Sequence, residues 1–86
     1  MWYELWDRET GNLVGSYATE AEALMAVREE VRAYGRDSGA VTSLGLLRRK
    51  PRRGRLIPKG SGLVAEGVAL VERALAAEQH GERTAV

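Results

Sequence analysis

The opening stretch, WYELWD and NLVGSY around the polar link RETG, constrains the fold more than any other part of the chain. A strand turns successive side chains to opposite faces, and in these two runs both faces carry apolar residues. Tyr3 and Leu5 share one side with Leu13 and Tyr17, whereas Trp2 and Trp6 fall on the other with Val14. A polar link with Gly11 free to take a positive φ suits a type I turn closed by a bulge, so the two runs are read as a β-hairpin. With Arg8 and Asn12 flanking the turn, Leu5 faces Gly15 and Tyr3 faces Tyr17 across the strands. Helices drawn from 86 residues can cover one side of such a sheet, and two indoles on the other side need a different cover.

The next segment, TEAEALMAVREEVRAYG, changes period. Thr19 followed three residues later by Glu22 is a capping box, and Glu20 and Glu22 lie where the helix dipole favours acids. Leu24, Val27, Val31 and Tyr34 recur at three- and four-residue steps with Ala23 beside them, which places Tyr34 in the expected core. Gly35 ends the helix. After RDSG, the stretch VTSLGLL has strand composition, Pro51 and Gly54 mark a turn, and RLIPKG is a short strand that Pro58 confines to an edge or an end. Ser61 caps a second helix, GLVAEGVALVERALAAEQ, with Val64, Val68, Val71 and Leu75 on one stripe and Leu63, Leu70 and Ala74 on its neighbour. Gly67 inside that helix costs about 1 kcal/mol unless another backbone comes close. The order is β-β-α-β-β-α, an α+β fold with a four-stranded antiparallel sheet and two helices on one face. Residues 1–79 form a single domain, and 80–86 are expected to be a frayed tail.

A chain this short hides only about 60 to 65% of the surface its unfolded form exposes, so its stability margin is thin. There is no cysteine and a single histidine, His80, which disfavours a disulfide framework and a metal site. No apolar run approaches the roughly 20 residues of a membrane span, and no signal core follows the N-terminus. The expected setting is the cytoplasm. The formal net charge is +1, but no acid stands between Ala40 and Ala65 while the run RRKPRRGR lies there.

The segment YELWDRETGNLVGSYATEAEAL resembles the opening of a set of small uncharacterised bacterial proteins that begin with a YELWD-type strand, a Gly-Asn turn and a Thr-Glu-Ala-Glu-Ala helix start. The resemblance covers roughly the first half and implies bacterial origin and the hairpin-helix plan, with no assigned function. A fainter likeness is to HicB-type antitoxins, in which strands precede a helix starting T-x-x-E-A, as Thr19 to Ala23 do here. The glycine- and proline-containing strand-to-strand segment of that family is missing, so its RNA-binding and toxin-neutralising role is not carried over.

Two surfaces carry functional expectations. Arg48, Arg49, Lys50, Arg52, Arg53 and Arg55 put six cations into eight residues around a turn. Such a finger can hold a nucleic-acid backbone without reading its sequence, or it can be a solvated tip that keeps a sheet edge soluble. Trp2, Trp6 and Val14 can anchor a protein partner, stack on bases, or lie under the C-terminal helix or tail. Catalysis has little basis. His80 sits in the expected tail between Glu78 and Glu82, the serines have no positioned base, and PKGSGLVAEG lacks a phosphate-loop spacing. The chain therefore reads as a small non-enzymatic interaction module, without cofactor or metal, that forms a homodimer through an apolar sheet face or helix. The alternative is a sequence-nonspecific, antitoxin-like nucleic-acid-binding protein using residues 48–55.

Overall fold

The computed structural model describes residues 1–50 and 62–85, with side chains through Glu78. Strands β1 (Trp2–Asp7) and β2 (Asn12–Tyr17) are followed by helix α1 (Glu20–Tyr34) and a single turn α2 (Gly39–Thr42). Strands β3 (Leu44–Arg49) and β4 (Leu63–Glu66) and helix α3 (Gly67–Ala85) complete the order. The strands form one antiparallel sheet in the order β2-β1-β3-β4. This is the α+β plan expected from the periodicity, with α2 as an addition.

The hairpin pairs Tyr3 with Tyr17 and Leu5 with Gly15 as expected, but Asp7 rather than Arg8 stands opposite Asn12, and the two pairs follow only because a bulge adds one residue between them and the turn. Gly11 takes φ 76° and its amide donates to the Asp7 carbonyl at 2.8 Å. The Asp7 carboxylate accepts the Glu9 and Thr10 amides, which closes the turn from the side. Beyond Leu5 the register shifts, and Trp6 faces Leu13 with Val14 as the extra residue. This bulge overturns one expectation: Leu13 leaves the Leu5 face, joins the Trp6 face and is 48% exposed. A strict alternation cannot anticipate the inversion, because one inserted residue swaps the faces of everything beyond it.

One side of the sheet and the two long helices share the core. Leu5 of β1 and Leu44 and Leu46 of β3 pack with Ala23, Leu24 and Val27 of α1 and with Leu70 and Ala74 of α3. Both helices therefore lie on the Leu5 face. The capping box forms as read, with the Glu22 amide donating to Thr19 Oγ1 at 3.1 Å and the Thr19 amide to Glu22 Oε1 at 3.2 Å. Arg28 donates to the Ala74 carbonyl, and Arg32–Glu78 and Arg73–Glu20 ion pairs tie the helices together along their flanks.

Several expectations are corrected. Tyr34 is 61% exposed rather than in the core. It stands one heptad after the buried Val27, on the same stripe, at the last residue of α1. The first residues of VTSLGLL form α2, capped by the Ser38 hydroxyl on the Ala40 amide, and the strand begins only at Leu44. Residues Leu63–Glu66, read as helical, are β4, because β3 offers them a ladder of partners. The helix thus begins at Gly67 and not after a Ser61 cap, and Gly67, with φ 61°, is the pivot from strand to helix rather than an interior defect. Among the expected helical stripes, Leu70, Val71 and Ala74 are buried and Val68 is 60% exposed. Helix α3 continues to Ala85. The expected strand RLIPKG lies outside the described residues.

Candidate functional site: the open face of the sheet

Register and pleat assign the side of the sheet away from the helices. One row runs Leu13, Trp6, Gly45 and Glu66, the next Ser16, Glu4, Leu47 and Leu63, and Trp2 lies beside Arg49. Leu63 reaches this side through a second bulge: the register shifts between Leu46 and Leu47, so that Leu46 faces Ala65 and Leu47 faces Leu63. Among the described residues no helix packs on this face. Trp2, Leu13, Val14 and Leu63 are between 37% and 49% exposed, and Trp6 and Leu47 are half-buried by their neighbours. The expected trio Trp2, Trp6 and Val14 is therefore on one face, joined by Leu13, Leu47 and Leu63.

At the centre of this apolar surface stands a carboxylate. Glu4 lies between the indoles on β1 and accepts from both: Trp2 Nε1 donates to Oε2 at 3.1 Å and Trp6 Nε1 to Oε1 at 3.2 Å. From β3, Arg49 Nε donates to Oε1 at 2.8 Å. The Glu4 side chain is only 17% exposed and that of Arg49 29%. Burial alone pushes the Glu4 carboxyl up. The hydrogen bonds from Arg49, Trp2 and Trp6 and the Arg49 charge outweigh it, and the net direction is downward. The carboxylate thus stays ionised and orients both rings, because an indole N–H must find an acceptor when it leaves water.

A second ion pair closes one end of the face. Gly45 has no side chain, and the stem of Arg8 lies across the space, with its Cδ 3.1 Å from where a Cβ would stand. The guanidinium reaches Glu66 at 2.8 Å and lies 3.5 Å from the Thr42 carbonyl. Long cationic side chains cover apolar surface with their stems in this way. Both edge strands, β2 and β4, carry their bulge, which twists an edge out of line with any incoming strand.

The basic run divides between surfaces. Arg49 belongs to the open face and is bound by Glu4, so it is not a freely presented cation. Arg48 is exposed and lines a shallow depression with Glu20, Gly62, Leu63, Val64 and Arg73. Lys50 is exposed, and Arg52, Arg53 and Arg55 lie outside the described residues. Sequence reasoning missed Glu4, Leu13, Leu47 and Leu63 as members of the face. Glu4 carried a signal in its position between two tryptophans at i±2, whereas Leu63 carried none until its strand pairing was known. Among the described residues no three His, Asp or Glu side chains converge to hold a metal ion, and no helix is long and apolar enough to cross a membrane.

No family model, curated protein or solved structure matches the chain.

Proposed function

We propose that the protein is a small non-enzymatic interaction module that forms a symmetric homodimer by closing the open face of its sheet against the same face of a second copy. The observation that carries this is the set of exposed apolar side chains, Trp2, Leu13, Val14 and Leu63, on a face with no helix over it among the described residues. Together they present on the order of a few hundred Å² of apolar surface, the size at which patches on small proteins mark contacts. Ser16, Arg8 and Glu66 supply the polar rim that such contacts carry. The bulged edges disfavour strand addition, which leaves the face rather than the edge as the surface that associates.

The setting proposed is the cytoplasm of a bacterium, in keeping with the cysteine-free sequence and the YELWD resemblance. Nucleic-acid binding by residues 48–55 is less favoured, since Arg49 is already held by Glu4. Light scattering at tens of micromolar tests the proposal: a mass of two chains supports it, and a strictly monomeric mass overturns it. A mobility shift at two salt concentrations tests the other reading. Retardation of DNA or RNA that falls steeply with salt, and is lost when Arg49, Lys50, Arg52 and Arg53 are changed to Ser, would favour it.

A further inference from the structure

Among the described residues, the acids of the open face are each paired with a cation of the same chain. Glu4 is matched by Arg49 and Glu66 by Arg8, at 2.8 Å in both cases. The pairs are not equivalent. Arg8 and Glu66 are nearly half exposed and reach water at the rim, whereas Glu4 and Arg49 are 17% and 29% exposed and lie among Trp2, Trp6 and Leu47. Covering the face strips the remaining water from Glu4 and Arg49 and leaves the rim pair solvated.

We infer that the Glu4–Arg49 pair is the specificity element of this face, making the centre neutral so that it accepts a second copy and rejects charged partners. This rests on the self-association proposed above. Where the two-fold axis passes through the centre of the face, an unmatched charge there would meet its own copy, and wherever the axis lies it would pay desolvation without a partner. A matched pair avoids the repulsion and offsets part of the desolvation, because each ion keeps its partner as the water leaves. The carboxylate has further reason to remain matched, since both of its oxygens are already engaged by indole N–H groups that hold it in place without neutralising it. A net-neutral centre offers no attraction to a phosphate backbone or to an acidic or basic peptide.

The experiment is a charge cycle read by sedimentation or light scattering of the full chain. Glu4→Gln strands the Arg49 cation and Arg49→Gln strands the Glu4 anion, and each is expected to weaken dimerisation on the order of tenfold or more. Glu4→Gln with Arg49→Gln in the same chain is expected to return to within about threefold of the parent, because the centre is neutral again. Added salt should narrow the gap for the single variants and leave the double variant unchanged. Near- and far-ultraviolet circular dichroism confirms that each variant is folded, and the two single variants fail by opposite charges, so misfolding of one leaves the other as the test. A monomeric parent chain overturns the dimer and this inference together. A dimeric parent whose single variants assemble as it does overturns this inference alone, as does a double variant weaker than either single one.

Discussion

Glycines at two positions show how much a single residue decides. Gly62 takes φ 93°, and a Cβ there would run into the Arg48 carbonyl oxygen, which belongs to the rigid backbone of β3. Its own carbonyl accepts the Arg48 amide at 2.6 Å. Gly62→Ala is therefore expected to cost about 2 kcal/mol or more, from strained backbone together with a clash that no rotamer relieves. Gly39 has a negative φ in α2 and open space around its Cβ position, so Gly39→Ala should be neutral or slightly stabilising. Urea denaturation of the two variants beside the parent measures the contrast. Glu4 supplies the pH dependence. Its folded-state pKa lies below the ordinary value of 4.5, so its contribution to stability is present above that pH and is lost as pH falls through the lower, folded value. Glu4→Gln should flatten the acid limb of the stability curve below about pH 4.5. Part of that limb remains, because Asp7 is also lowered: its desolvation is outweighed by the Glu9 amide, Ser43 and Thr10.

At the scale of elements, α1 is the segment whose local chemistry and tertiary use agree most closely. Its capping box is complete, its acids lie in the first turn and its buried stripe is Ala23, Leu24 and Val27. Thr19→Ala removes the acceptor for the Glu22 amide and is expected to lower stability by about 1 kcal/mol while leaving the sheet register unchanged, measured by urea titration and amide exchange. The segment around β4 shows the opposite relation. Leu63, Val64 and Ala65 have apolar side chains suited to either period, and Gly67 marks only that the backbone turns there. Four residues are too few for periodicity to choose between strand and helix, so β3 chooses, by offering Glu66, Ala65 and Leu63 a ladder against Gly45, Leu46 and Leu47.

For the molecule as a whole, the two helices occupy one side of a four-stranded sheet and the indoles the other. Trp6→Ala is expected to weaken assembly about tenfold, since it removes an indole from the face and a donor from Glu4. Tyr34→Ala should leave assembly unchanged, because Tyr34 is exposed at the end of α1, on the opposite layer. Analytical ultracentrifugation of both variants provides the comparison, and equal effects would argue against the sheet face as the contact.

The hairpin, the turn glycine and the span and capping of α1 were legible in the residues alone, whereas the exposure of Tyr34 and the bulge that brings Tyr3 opposite Tyr17 and Leu5 opposite Gly15 were not. Each legible feature is set by neighbours within a few positions: a polar link of fixed length, a positive φ, a capping box, a stripe repeating every turn. The membership of the open face was legible only in part. Trp2, Trp6 and Val14 follow from simple alternation, but Leu13 and Leu63 arrive through bulges, and Leu47 is placed by the burial of Leu44 and Leu46. The union of Glu4 with Arg49 spans 45 positions of sequence. These were decided by tertiary structure because a bulge and a cross-strand pair depend on which strand lies alongside, and that choice is settled by burial across the entire sheet rather than by any local run of residues.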